Sequence, residues 1–231
     1  EIHALVGGNG SGKSTLITIF AGVYEGDPGG DIEVGGQVAP VEKWTPHRAY
    51  LAGMRFVHQN PGVFLDLTVA ENIAIGHRMP TGIGGRIKWR ELHRRTRQLI
   101  DRYRIRAHPT MPLRALRPAD RTMVAVARAL QDDAAGPAGP AGSAGSAGSA
   151  GSADPAGPAG PEHAILFLDE PTTALPADDI ELLLGTLRDC AAAGQTIVYV
   201  SHRLDEVLSL SDRITILRDG HKVSTVNSAE V

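Results

Sequence analysis

Cysteine is nearly absent from this chain. The one thiol, Cys190, excludes an internal disulfide and any cysteine-based metal cluster, and its place in a helical stretch reads as a small core residue. Aromatic residues make up only 4% of the sequence, so Ala, Val, Ile and Leu must fill the core that 42% apolar content allows. Neither sign of charge dominates. With 23 Lys and Arg against 26 Asp and Glu the formal charge is −3, which removes any global case for a nucleic-acid partner. No apolar run approaches the roughly 20 residues of a membrane span, and no signal-peptide pattern opens the chain. A cytosolic protein is therefore expected, one that can still dock on a membrane protein. The 231 residues suit one large domain, or a domain with a subdomain. Because Glu1 falls almost directly on the first apolar run, residues upstream of it are expected.

What is present begins at that run. Ile2–Val6 reads as a buried strand, and Leu16, Ile17, Ile19 and Phe20 read as the start of a helix. Between them stands Gly7-Gly8-Asn9-Gly10-Ser11-Gly12-Lys13-Ser14, followed by Thr15. Gly, four residues, then Gly-Lys-Ser between a strand and a helix is the phosphate-binding loop pattern. Its glycines let successive N–H groups curl around a phosphate, and the helix N-terminus adds partial positive charge. In such a loop Lys13 reaches the β- and γ-phosphates, and the Ser14 hydroxyl lies on Mg²⁺.

Further along, Asp31–Val38 alternates around a Gly-Gly pair and predicts a short hairpin. A short helix is expected over His47–Leu51, then a strand over Met54–His58 that Gln59-Asn60-Pro61-Gly62 breaks. From Leu67 to about Leu116 the pattern is helical, with Thr68 as a cap and Leu92, Thr96, Leu99, Ile100 and Tyr103 on one face. The other faces are basic: residues 86, 88, 90, 94, 95, 97, 102, 104 and 106 are Lys or Arg, against two acids, Glu91 and Asp101. A solvated helix face explains that excess, a partner protein or anionic lipid is the next reading, and nucleic acid the third. Ala119–Leu130 reads as a helix with Met123, Val124, Ala127 and Leu130 inward. Ala134–Pro161 is almost pure Ala, Gly, Pro and Ser, with Asp154 its only charge, and reads as a flexible insert that cannot bury a core.

Beyond it, Ala164–Leu168 and Thr196–Val200 read as buried strands, Asp178–Ala193 and Leu204–Leu210 as helices, and Ile214–Leu217 as a last strand turning at Asp219-Gly220. Strands alternating with helices imply right-handed crossovers and a mainly parallel sheet. Ligands then bind beyond the carboxyl ends of the strands. Four groups fall at such ends: the phosphate loop, Gln59, Asp169-Glu170 and Ser201-His202. Asp169 suits a Mg²⁺-holding carboxylate, and Glu170 can polarise a water. Asp169-Glu170, His202 and Gln59 are each unremarkable alone; their joint order with the phosphate loop is not.

Taken together, the phosphate loop, Gln59, the Leu116–Leu130 stretch, Leu166-Phe167-Leu168-Asp169-Glu170-Pro171-Thr172 and Ser201-His202 resemble the ATP-binding subunits of ABC transporters. Phe56–Gln59, Leu67–Ile73, Ser201–Glu206 and Asp212–Gly220 are similar, more narrowly, to the first nucleotide-binding domain of monosaccharide importers of the ribose, galactose and xylose type. The resemblance implies an α/β P-loop NTPase fold with a mainly parallel central sheet, small antiparallel β elements and an inserted helical subdomain at about 62–125, all within one nucleotide-binding domain. It implies ATP and Mg²⁺ as ligands. Lys13 would hold the β/γ-phosphates, Thr15 would lie near the α-phosphate, and Ser14, Gln59 and Asp169 would hold the metal. Glu170 would be the general base and His202 would contact the γ-phosphate. The implied partners are a transmembrane permease subunit, a second nucleotide-binding domain arranged head to tail and, indirectly, an extracytoplasmic solute-binding protein. The implied place is the cytoplasmic face of the membrane.

Two departures from the family pattern stand out. Where the family usually has Leu-Ser-Gly-Gly-Gln, this chain has Leu116-Arg117-Pro118-Ala119-Asp120. Arg117 replaces a hydroxyl, Pro118 removes an N–H, and Asp120 is expected to turn a negative charge toward phosphate. In Thr173-Ala174-Leu175-Pro176 a proline replaces the usual aspartate. The alternative to an ATPase that powers solute import is therefore a nucleotide-binding regulatory or structural half of an asymmetric pair. A soluble ABC protein of DNA repair or translation lacks support, since neither coiled-coil heptads nor zinc cysteines are present.

Overall fold

The computed structural model describes residues 1–77, 79–131 and 164–230; the insert expected at 134–161 lies outside the described residues. Fifteen helices and strands organise the described part. In chain order they are β1 (Ile2–Val6), α1 (Lys13–Phe20), β2 (Asp31–Val34), β3 (Gln37–Pro40), α2 (Pro46–Leu51), β4 (Met54–Val57), α3 (Val69–Ala74), α4 (Trp89–Arg102), α5 (Pro118–Ala129), β5 (Ile165–Asp169), α6 (Ala177–Ala192), β6 (Thr196–Val200), α7 (Leu204–Leu210), β7 (Arg213–Arg218) and β8 (His221–Asn227). The main sheet has the order β4-β5-β6-β1-β7-β8, and β2 pairs with β3 in a separate hairpin. From β4 to β7 every pairing is parallel, while β8 closes the edge antiparallel to β7.

Strand periodicity sorts the core onto two faces. Ala4 and Val6 of β1, Leu166 and Leu168 of β5 and Ile197 and Tyr199 of β6 join one buried cluster with Met123, Leu183 and Val207 of α5, α6 and α7. Leu5, Phe167 and Val200 point the other way, into a cluster with Ile17, Ile32, Trp44 and Ala49. The scarce aromatics concentrate on this second face, where Phe167 stacks on Phe56 at 4.7 Å and meets Phe20 at 6.0 Å. Cys190 is partly buried against the first cluster, and burial pushes its thiol up from its ordinary value.

Between Leu67 and Leu116 the observed structure is more broken than the continuous helical pattern expected. Thr68 starts α3 in a capping box: its Oγ1 accepts from the Glu71 N–H at 3.2 Å, and its own N–H donates to Glu71 Oε2 at 2.8 Å. The Thr68 hydroxyl, donating to the Glu71 carboxylate at 2.6 Å, and then the Thr68 N–H hold that carboxyl below its ordinary value. Pro80, Gly82, Gly84 and Gly85 then interrupt the helical run until Trp89. On α4 the expected stripe is present, with Leu92, Thr96 and Ile100 buried. After Arg102 the chain reverses at Arg104, whose φ is 50°, and Pro109 and Pro112 leave only a 3-10 turn at Leu113–Ala115 before α5. The three helices α3, α4 and α5 pack on one another, and α5 also packs on β4 and α6. β8 was not expected; its alternation is blurred because most of its residues are exposed or half-exposed. No helix among the described residues is long and apolar enough to cross a membrane.

Candidate functional site

The loop after β1 is braced from below. The Lys13 ammonium folds back to donate to the carbonyls of Gly7 at 2.8 Å and Gly8 at 3.1 Å, and it is 6% exposed. Gly12 caps α1 with φ 95°, a left-handed conformation that glycine adopts without strain. Gly7 is required for space, because a Cβ there would collide with the Leu217 carbonyl and the Ser11 hydroxyl. The Gly220 N–H, in the β7–β8 turn, donates to the Ser11 carbonyl at 3.1 Å. That support was not foreseen in the sequence. Ser14 and Thr15 are exposed at the mouth of the loop.

Sheet order brings the remaining candidates to the same edge. β4, β5, β6 and β1 are consecutive parallel neighbours. Gln59, Asp169-Glu170, Ser201-His202 and the phosphate loop follow the carboxyl ends of those four strands in turn. Residues more than a hundred positions apart thus share one rim. Burial and the neighbouring Glu170 charge push the Asp169 carboxyl up, against the pull of His58, Lys13 and the Ser14 hydroxyl. Its Oδ1 is buried without a hydrogen-bond partner.

Glu170 stands at the β5 exit in a left-handed backbone conformation, φ 48°, uncommon for a residue with a side chain. Its N–H donates to the Val200 carbonyl at 2.9 Å, which ties the β5 exit to β6. Its Oε1 lies 3.0 Å from His202 Nδ1, the Nδ1–H tautomer donating to the carboxylate, and Oε2 accepts from the Thr173 hydroxyl at 3.2 Å. Glu170 and His202 are thus brought into direct contact. Gln59 lies exposed on the segment after β4. The segment is fastened by Arg128 of α5, which donates to the carbonyls of Pro61 at 2.8 Å and Gly62 at 3.1 Å.

The Leu116–Asp120 loop faces elsewhere than expected. Asp120 does not present its charge outward. It is buried at the start of α5, and its Oδ1 accepts the Arg106 N–H at 3.0 Å. Arg117 lies 3.5 Å from the Asp179 carboxylate on α6. Arg121 donates to the carbonyls of Leu116 and Arg114, closing the loop on itself.

Comparison with known proteins gives this arrangement a family. Residues 1–135 match the family model described as ABC transporter. The chain belongs to the ABC transporter family. Two relatives of this ABC chain are the ribose import ATP-binding protein RbsA 2 of Rubrobacter xylanophilus, 35% identical over 97% of the chain, and the ribose import ATP-binding protein RbsA of Roseobacter denitrificans, 37% identical over 97%. The chain spans 37% of the length of each. Among solved structures, cbiO1 from Clostridium perfringens, part of an ABC transporter complex, is similar with TM-score 0.66 and 21% identity, over 100% of this chain and 78% of that one. A dimeric ATP-binding cassette in a post-hydrolysis state with ADP and phosphate is similar with TM-score 0.66 and 19% identity, over 99% and 85%. At those identities the two structures establish the fold, which is that of a P-loop NTPase.

Proposed function

We infer that this ABC domain binds ATP with Mg²⁺ and hydrolyses it to power import of a sugar through a membrane permease. One observation carries the reading: a phosphate loop, a half-buried carboxylate, a carboxylate–imidazole pair and a glutamine stand at four consecutive parallel strand ends. Phosphoryl transfer needs mainly positioning and charge, and these groups are of the right kinds. Lys13 would leave its carbonyl partners to meet the β- and γ-phosphates, and the Gly7–Thr15 amides would cradle them. Mg²⁺ fits the residues present, because Asp169 Oδ1 is a buried oxygen with no hydrogen-bond partner and the Ser14 hydroxyl acts on the same carboxyl group. Ser14, Asp169 and Gln59 would hold the ion, which supplies charge neutralisation at the phosphate oxygens. Glu170 would take the proton of the attacking water. His202, with Nδ1–H on that same carboxylate, would contact the γ-phosphate through Nε2, which donates there as the imidazolium.

The sugar is proposed from what the RbsA relatives are named for. The rest of the assembly is proposed with it: a permease subunit, a second nucleotide-binding domain placed head to tail, and indirectly a solute-binding protein outside the membrane. In that arrangement the helical region at about 62–125 would dock the permease, and the domain would work at the cytoplasmic face of the membrane. A second reading, a nucleotide-binding half with little hydrolysis, is favoured by one feature, the tying of Arg117 and Asp120 into contacts within the chain. Sugar uptake and ATP turnover by the full transporter in proteoliposomes separate the two. The first reading expects sugar-dependent turnover that Glu170→Gln abolishes. Undiminished turnover with that variant, or binding of ATP without turnover in the wild type, gives the second.

A further inference from the structure

A carboxylate lies buried behind the rim, outside the groups that would meet nucleotide or metal. Glu206, in the first turn of α7, is 4% exposed. Its Oε2 accepts three hydroxyl hydrogen bonds, from Tyr199 at 2.6 Å, Thr172 at 2.8 Å and Ser201 at 3.2 Å. Its Oε1 lies 2.8 Å from Arg203 Nη1. An ionised carboxylate is costly to bury unless it is hydrogen-bonded or paired; here three hydroxyls fill Oε2, while Oε1 has the Arg203 charge beside it and no hydrogen bond. The Tyr199 phenol stays a donor, because burial above all, and then Glu206, push its ionisation far above the ordinary range.

The identity of the donors gives the arrangement its meaning. Thr172 is two residues beyond Glu170, and Ser201 immediately precedes His202. Ser201 does two things at once: its Oγ donates to Glu206 and accepts the Arg203 N–H at 3.0 Å. The β5 exit, the β6 exit and the start of α7 therefore converge on one carboxylate. Above it, on the rim, the same two exits are joined by the 3.0 Å contact of Glu170 with His202.

We propose that Glu206 is a positioning residue: it locks the turn that carries His202 to the loop that carries Glu170, so that the two groups keep one relative geometry. This rests on the proposed ATPase reading for its catalytic consequence, but the lock itself does not. Glutamine, the nearest isostere, does not preserve it. A glutamine must face either Arg203 or the three hydroxyls with its NH₂ group, so one side of the hub fails in either orientation.

The test uses the full-length protein in its transporter. Glu206→Gln is expected to lower kcat for ATP roughly tenfold, with affinity for a non-hydrolysable ATP analogue unchanged within about twofold. Thr172→Val, which keeps the shape and removes one donor, is expected to give the same pattern at about a third of the size. Because Glu206 acts through its neighbours, adding Glu206→Gln to His202→Ala is expected to cost nothing further. Independent factors that multiply would overturn the proposal, as would a loss of nucleotide affinity equal to the loss of turnover. Hydrogen exchange on the full chain reads the lock without turnover. Peptides over 170–175 and 199–206 are expected to lose protection together in Glu206→Gln, with the β1–α1 region unchanged. Loss confined to α7, or spread over the whole domain, contradicts the lock. A wild type that hydrolyses no ATP refutes the ATPase reading and leaves the exchange result to decide the lock.

Discussion

Two loops of this chain make different use of their polar groups. The Gly7–Thr15 loop is braced from behind by the Gly220 N–H, folds Lys13 back onto its own Gly7 and Gly8 carbonyls, and leaves Ser14 and Thr15 exposed at its mouth. The Leu116–Asp120 loop turns its groups inward: Asp120 on the Arg106 N–H, Arg117 beside Asp179, and Pro118 with no N–H to give. The difference is one of support. The first loop holds its lysine on uncharged carbonyls, from which it can be released to a ligand, and takes outside support from the β7–β8 turn. A loop whose charges are satisfied within the chain has little left for a phosphate on another domain. The contrast teaches that the chain's own nucleotide site can be complete while the surface it would offer to a partner's nucleotide is not.

The largest effects should come from the first loop and its rim. Lys13→Ala is expected to weaken ATP binding by about 10²-fold, measured by calorimetry on the full chain, since the amides alone leave the phosphate charge unmatched. Glu170→Gln should leave ATP affinity intact and reduce turnover by about 10²–10⁴-fold, the range for a lost general base; His202→Ala follows at roughly 10²-fold. Equal losses of affinity in those two variants would erase the distinction between holding and reacting.

Smaller effects should mark the second loop as structural. Asp120→Ala is expected to cost about 1–3 kcal/mol in denaturant unfolding, because the Arg106 N–H loses its acceptor, with ATP affinity at the Lys13 site unchanged. Unchanged stability together with tighter nucleotide at a partner's site would restore the outward-facing charge. Thr68→Ala removes the α3 capping box and should cost about 1 kcal/mol at neutral pH. The Thr68 bonds depress Glu71, so their stabilisation is present above the unfolded carboxyl value, about 4.3, and is lost as the pH falls through the lower folded value. The difference between wild type and Thr68→Ala should therefore narrow in acid. Arg117→Ala should change stability least, by under about 1 kcal/mol, as its guanidinium is half exposed.

How much of this was legible depended on whether the cause was local. The phosphate loop could be read because its geometry is set by adjacent glycines and a lysine. The four strand-end groups could be read because buried strands announce themselves as apolar runs, and a parallel sheet brings their carboxyl ends to one edge. The hairpin at Asp31–Pro40 and the cap at Thr68 were legible for the same local reason. Asp120 was not, since its acceptor role depends on Arg106 arriving from the end of a different segment. Nor was Gly220 legible as a support of the phosphate loop, because that contact follows from the strand order β1-β7-β8. Glu206 gave only the signal of an acid in a first helical turn, where acids are ordinary; its three hydroxyl partners meet only in the fold.

The Lys13 site is expected to hold ATP, and Glu170 to convert it. The nucleotide retained by the full transporter carrying Glu170→Gln, incubated with Mg-ATP, separated from free nucleotide and analysed after denaturation, tests it most directly. Uncleaved ATP, held on this domain and lost again when Lys13→Ala is added, is the expected result. ADP in wild-type proportion, or retention of ATP indifferent to Lys13, would contradict it.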